Sequence, residues 1–275
     1  MKRQRQRQEP TSLGKNGEIN MSTNDYILES YRPTQFFNTL KVFGVISEEA
    51  RLRLSYEGIK YLEMDPSHVA MINAFIPSDA FDNWYVKDDR TLSLNLKDLI
   101  KTVGKIAKGE GMAMSTPTGS NNLTWTSVKG DMRINKTVPL LSDPIDDEVP
   151  EPKIFFKAKA RIITGALYEA IEECSKVSEH IKLSVSAEAL TISAMGNLGT
   201  TLIEFKRGSD NLIDIKAEET SVTTYTTEYL KDVIKVMKGI SDVVTIELTT
   251  DMPIKVDCEL AKGTLIYYLA PCIGV

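Results

Sequence analysis

Residues that do chemistry are scarce in this 275-residue chain, which has two histidines, two tryptophans and three cysteines. Cys174, Cys258 and Cys272 are odd in number and form no CxxC pair. That argues against a disulfide framework or a zinc site and points to reduced thiols in an intracellular protein. His68 and His180 belong to no HExxH motif. There is no GxSxG elbow, no GxxxxGK[ST] phosphate loop and no GxGxxG turn, so nothing argues for catalysis or for a cofactor. Apolar stretches such as Val69–Ile72 fall far short of the roughly 18 residues of a membrane span. The basic start, residues 1–10, is followed by no apolar run and does not read as a secretory signal. Positive charge is also in deficit: 33 Lys and Arg stand against 38 Asp and Glu, a net charge of -5. Such a balance argues against coating nucleic acid with the whole surface, but it leaves room for a local basic face.

What is present is an ordinary globular composition, 42% hydrophobic and 26% charged. The length allows one large domain or two of about 130 residues. An internal repeat favours two. Leu96-Lys-Asp-Leu-Ile-Lys101 matches Leu230-Lys-Asp-Val-Ile-Lys235, Thr34–Glu48 matches Thr164–Glu179, and Met64 matches Met195. Each half has two stretches of helical period: Phe36, Phe37, Leu40 and Phe43 opened by Pro33, then Leu96, Leu99, Ile100, Val103 and Ile106. The second half repeats this with Leu167, Ala170, Ile171 and Cys174, then Leu230, Val233, Ile234 and Met237. Alternating strand patterns fill the rest, including Arg51–Met64 with a turn at Tyr56-Glu57-Gly58. The pattern predicts an α+β fold of two duplicated antiparallel domains, with helices on one face of the sheets.

Four segments follow. Residues 1–24 read as a disordered basic arm, with Met21 opening a more compact stretch, and residues 25–140 as the first domain. Residues 141–153 read as a connecting loop, extended because of its prolines, and residues 154–275 as the second domain. Asp143, Asp146, Asp147 and Glu148 in the loop lack the spacing and glycine of an EF-hand and read as a solvated acidic linker. A metal-dependent enzyme built on that cluster is the alternative from another class; no metal site is expected.

Lys97, Lys101, Lys105 and Lys108 recur at helical spacing opposite the apolar stripe, and Lys231, Lys235 and Lys238 repeat the pattern. Such rows are either a plain solvated face or a surface for phosphates. No aromatic residue interleaves them, so any contact with nucleic acid would be salt-dependent and indifferent to sequence.

Taken together, Leu62-Glu-Met-Asp-Pro-Ser-His-Val69 and Tyr267-Tyr-Leu-Ala-Pro-Cys-Ile273 resemble the DNA sliding clamp family, proliferating cell nuclear antigen, most like its archaeal members. Ala194-Met-Gly196, Leu198-Gly199 and Asp251-Met-Pro-Ile254 support the match, which spans about residues 25–275. The resemblance implies a ring-forming fold in which helices line a channel and antiparallel sheets lie outside. It implies a trimeric ring, homo- or hetero-trimeric, that encircles double-stranded DNA without sequence preference and acts as a processivity factor in DNA replication and repair. DNA polymerase, flap nuclease and ligase would be tethered through short peptide motifs, and a clamp loader would open the ring. The channel would be lined by Lys41, Lys97, Lys101, Lys105, Lys108, Lys231, Lys235 and Lys238. Partner peptides would meet Met64, His68, Val69, Met71, Val149, Pro150, Pro253, Tyr268, Leu269, Ala270 and Pro271. Subunits would join through Ile134, Asn135, Leu202, Ile203 and Glu204. Location would be cytoplasmic and nucleoid-associated in an archaeon, nuclear in a eukaryote, with no membrane partner. Glu169, Glu172 and Glu173, and Cys272 after Ala-Pro, depart from the family pattern. They keep open a specialised or checkpoint-like subunit of a hetero-trimer.

Overall fold

The computed structural model describes residues 24–142, 150–197 and 199–274. Residues 1–23 of the arm, the acidic cluster of the linker, Val149 and Leu198 lie outside the described residues. The first half runs β1 (Asn24–Ser30), α1 (Thr34–Ile46), β2 (Glu49–Leu54), β3 (Gly58–Met64), β4 (Ala70–Pro77), β5 (Asn83–Val86) and β6 (Arg90–Asn95). It continues with α2 (Leu96–Val103), β7 (Gly111–Pro117), β8 (Asn122–Lys129) and β9 (Met132–Pro139). The second half repeats this order: β10 (Ala158–Ile163), α3 (Thr164–Ser175), β11 (His180–Val185), β12 (Ala189–Gly196), β13 (Gly199–Lys206), β14 (Leu212–Ala217) and β15 (Ser221–Thr226). It closes with α4 (Thr227–Met237), β16 (Val243–Leu248), β17 (Ile254–Cys258) and β18 (Thr264–Leu269).

Local chemistry explains the helices. Pro33 fixes the entry to α1, whose buried face is Phe36, Phe37, Leu40, Val42, Phe43 and Ile46. Phe43 stacks on Tyr61 with ring centroids 3.9 Å apart, which ties α1 to β3. Asn95 caps α2, its side-chain oxygen accepting from the Asp98 N–H at 2.9 Å. The helix stops sooner than the sequence pattern predicts. Gly104 takes a φ of 76° and its N–H closes onto the Ile100 carbonyl, ending the helix at Val103. The Lys136 ammonium donates to the Val103 carbonyl at 2.7 Å and satisfies part of that end. Lys105, Ile106 and Lys108 therefore leave the helix and sit in the following loop.

The strands form three sheets. A five-stranded sheet runs β5-β1-β7-β8-β9, a four-stranded one β13-β12-β11-β15, and a nine-stranded one β14-β10-β16-β17-β18-β4-β3-β2-β6. The nine-stranded sheet crosses the duplication: five of its strands come from the second half and four from the first. Its seam is β18 against β4, antiparallel, with Tyr267 opposite Ile72 and Tyr268 opposite Met71. The helices lie on these sheets in the row α2, α1, α4, α3. Across the middle of that row the Asn38 amide donates to the Gly239 carbonyl at 2.8 Å. The halves also share one apolar core.

Asp65 ties the seam together. It is 4% exposed and follows β3, where Asp-Pro-Ser makes a tight turn. One carboxylate oxygen accepts from the N–H groups of Val69 and Ala70 at 2.8 and 2.6 Å. The other accepts from the Ser67 N–H and, across the halves, from the Tyr229 hydroxyl on α4, both at 3.1 Å. Replacing it with alanine leaves buried donors unpaired, so Asp65→Ala is expected to cost about 3 kcal/mol. Urea unfolding should show this as a lower midpoint at an unchanged slope.

Candidate functional site

Three surfaces collect the residues singled out in the sequence. The first is the exposed side of the helix row. α2 presents Lys97 and Lys101 opposite its buried Leu96, Leu99 and Val103. Lys97 meets Glu48 at 3.0 Å, but both side chains are exposed, so the pair contributes little. Lys41 on α1 is half-buried, donating to Asn38 at 3.1 Å with its ammonium 4.7 Å from the Phe37 ring. On α4, Lys235 is exposed and Lys231 donates to the Ser175 hydroxyl at 3.2 Å. Lys238 follows the helix end, 4.5 Å over the Tyr168 ring.

The row is not evenly basic. A cleft of about 460 Å³ between α1 and α2 is walled by Lys41, Lys97 and Lys101 against one acid, Glu48. Its counterpart between α3 and α4, about 400 Å³, sets Lys231 against Glu179, Glu228 and Asp232. Glu169, Glu172 and Glu173 extend the acidic side along α3, with Glu172 accepting from the Tyr168 hydroxyl at 2.8 Å. Positive potential therefore concentrates at the α2 end.

The second surface lies over the seam between β18 and β4. His68 and Val69 are exposed, His68 with a φ of 57°, and Met64, Pro253, Ala270 and Pro271 are half-buried beside them. The Ala270 N–H donates to the Val69 carbonyl at 2.8 Å, which joins the tail to this loop. Two of the sequence-selected residues are floor rather than wall: Met71 is 2% and Leu269 1% exposed. Tyr268 is also buried, and its hydroxyl donates to Glu151 of the linker at 2.8 Å. Burial, and then that carboxylate, hold the Tyr268 hydroxyl well above its usual pKa. Pro150 is exposed. Glu151 and the tie between Asp65 and Tyr229 escaped the sequence reading; only the Asp-Pro-Ser turn signal hinted at the latter.

The third surface is a pair of sheet edges. β9 ends the five-stranded sheet and β13 ends the four-stranded one. β9 exposes Met132, Ile134 and Asn135; β13 exposes Leu202 and Glu204 and half-buries Ile203. Leu202 is 67% exposed, which is unusual for a leucine on a strand.

All three cysteines are free, and burial pushes the Cys258 thiol up to about 12. Among the described residues no cluster of His, Cys, Asp or Glu could hold a metal. No helix among them is long and apolar enough to cross a membrane.

Comparison with known proteins agrees with this arrangement. Residues 36–146 match the family described as proliferating cell nuclear antigen, N-terminal domain, and residues 152–273 match its C-terminal domain. The DNA polymerase sliding clamp of Methanosarcina acetivorans is 31% identical over 240 residues, covering 86% of this chain and 94% of that protein. DNA polymerase sliding clamp 1 of Pyrobaculum aerophilum is 27% identical over 238 residues, with the same coverage of 86% and 94%. Among solved structures, the proliferating cell nuclear antigen of Thermococcus kodakaraensis superposes with a TM-score of 0.83 at 22% identity. It covers 90% of this chain and 100% of its own. That of Entamoeba histolytica gives 0.84 at 18% identity, covering 91% and 100%. Both domain matches, in order and over the two halves of the repeat, show that the chain belongs to the proliferating cell nuclear antigen family.

Proposed function

We propose that the chain is a DNA sliding clamp: a non-catalytic processivity factor, made of two clamp domains joined by the 141–153 loop, that closes into a ring around duplex DNA. The observation that carries this reading is the pair of open edges. β18 and β9 hold the same place in the two halves, as do β4 and β13, yet only β18 and β4 are joined within the chain. The repeat carries the register across. Leu123 pairs with Val138 as Ile254 pairs with Leu269, both shifted by 131 residues. Met64 pairs with Met71 as Met195 pairs with Thr200. Transferring the seam pairs Leu265–Ala74 and Thr264–Phe75 sets Ile134 opposite Ile203 and Arg133 opposite Glu204 of the next chain. An apolar pair and an opposite-charge pair then fall in register, each of which favours pairing. Asn135 falls opposite Leu202 in the same register. Head-to-tail joints of this kind close into a ring, and three chains supply the six domains the family resemblance implies.

In such a ring the helix rows face the hole, and their lysines meet phosphates without reading bases. The uneven charge of the row assigns most of that contact to Lys41, Lys97 and Lys101, with Lys105 and Lys108 reaching from the loop and Lys231, Lys235 and Lys238 adding less. The seam surface, from His68 and Val69 to Pro253 and Pro271, suits an extended client peptide of a polymerase, flap nuclease or ligase: apolar walls beside exposed backbone. Ring opening on DNA falls to a separate loader. The archaeal relatives favour a cytoplasmic, nucleoid-associated location.

Two experiments test the reading. Light scattering should give three times the chain mass, falling to one for Ile134→Asp. Arg133→Glu and Glu204→Arg should each weaken the ring and together restore it; a wild-type monomer, or no recovery in the double variant, would sink the proposed joint. On DNA, the clamp should stay on closed circles and slide off linear duplex. Lys97→Glu with Lys101→Glu should flatten the salt dependence of DNA binding by about two phosphate contacts, and Lys231→Glu with Lys235→Glu by fewer. Equal effects would remove the charge asymmetry from the mechanism.

A further inference from the structure

The repeat also exposes a difference on the solvent face of the sheets. In the first half, Ser47, Glu49, Arg51, Glu63 and Ser93 line a cleft next to the start of the linker. Shifting each by 131 residues gives Ser178, His180, Lys182, Ala194 and Thr224, and these line a cleft of about 370 Å³ in the second half. The local folding is the same in both. The Glu49 N–H donates to the Ser47 hydroxyl at 3.3 Å, and the His180 N–H to the Ser178 hydroxyl at 3.2 Å. The Leu141 N–H donates to the Ser93 carbonyl, and the Cys272 N–H to the Thr224 carbonyl, both at 2.8 Å.

Charge is where the two clefts part. Arg51 is neutralised by a two-pronged contact with Glu63, both distances 2.7 Å. In the second cleft the matching carboxylate is gone, replaced by Ala194, and Glu49 has become His180. Among the described residues Lys182 has no acidic partner within 4.0 Å, the ion-pair limit. The cleft adds Ser193, Thr200 and an apolar group, Met195, which is 77% exposed. The second cleft thus keeps the shape of the first, has lost its internal counter-charge and has gained a bare thioether.

Spacing narrows what fits. Lys182 pairs with Ser193 across β11 and β12, so Met195, two residues along the same face, is its diagonal neighbour. Such diagonals are roughly 7–8 Å apart, close to the roughly 6.6 Å between alternate side chains of an extended peptide. We propose that this cleft docks an extended segment of a partner protein bearing a carboxylate and an apolar side chain two residues apart, the carboxylate on Lys182 and the apolar group on Met195. The hydroxyls of Ser193, Thr200 and Thr224 are placed to bond its backbone. Every lining residue comes from one chain, but Thr200 lies at the start of β13 and falls opposite Thr137 of the next chain in the register of the proposed joint, so the cleft borders that joint. The proposal rests on the ring reading, which light scattering tests separately, and is distinct from the seam surface.

The test is methyl NMR of the full chain with labelled methionine methyls, titrated with the peptide Gly-Ser-Glu-Ser-Leu-Ser-Gly. The Met195 methyl should shift and saturate, while the Met64 methyl at the seam surface stays in place. Lys182→Glu, an exposed substitution compatible with folding, should weaken the affinity at least about tenfold, and replacing the peptide glutamate by glutamine should do the same. A peptide with glutamate and leucine adjacent should bind more weakly than the alternating one. Absence of a Met195 shift, a shift at Met64 instead, or equal binding by Lys182→Glu would overturn the proposal. So would equal binding of the adjacent-residue peptide, or a matching shift with inorganic phosphate alone, which would reduce the cleft to a simple anion site.

Discussion

A strand at the edge of a sheet carries backbone donors and acceptors that need partners, and this constraint organises the molecule. Each half ends its five-stranded run with an edge, β18 or β9, and each carries the complementary edge, β4 or β13. The chain can satisfy one such pair internally, and it does so at the seam between β18 and β4. That single pairing merges the halves into a nine-stranded sheet, aligns the helices in one row and draws the C-terminal tail over the loop after Asp65. It also leaves β9 and β13 open, facing away from their own chain. On the proposed reading, the joint within the chain is the pattern for the joint between chains.

The seam is also where polar chemistry is concentrated. Asp65 sits buried between the halves and is paid for by three backbone N–H groups and the Tyr229 hydroxyl. Glu151 closes over Tyr268 from the linker side. A surface held this way has a fixed shape, because the loop and the tail are hydrogen-bonded to each other. Duplication then allows divergence. The two halves keep the same strand order but distribute charge differently, basic at α2 and acidic along α3. Arg51 and Glu63 are compensated in one solvent-face cleft, whereas among the described residues Lys182 has no acidic partner in the other. Equivalent backbone positions have been turned to different electrostatic ends.

Much of the fold was legible in the sequence. The repeat, the Pro33 helix start, the hairpin at Tyr56-Glu57-Gly58 and the α+β class all rest on local signals with a period of 3.6 or 2. The second helix of the first half was read too long. Ile106 and Lys108 continue the spacing, but spacing does not register a glycine at positive φ, and Gly104 ends the helix. Met71 and Leu269 are expected to be accessible to a partner peptide and are instead buried beneath the seam surface, because a strand's apolar residues look alike whether the opposite face is water or protein. Asp65 stands in the Leu62–Val69 motif with no role that local spacing assigns, since the partner that ties it to the other half, Tyr229 on α4, is 164 residues away.

Sequence by itself determined the duplicated plan, the family resemblance and the rows of lysine, all of which are written in neighbouring residues. Tertiary structure decided which edges are spent and which remain open, which lysines share a groove with acids, and which half of the repeat kept its counter-charge. Those outcomes depend on strands and side chains distant in sequence meeting in space, from Arg51 and Glu63 over a separation of 12 to Asn38 and Gly239 over one of 201. The net charge of -5 is the clearest case. As a sum over residues it argues against nucleic acid, and only the fold divides it into a basic α1–α2 groove and an acidic remainder. A sum has no direction, whereas a folded surface does.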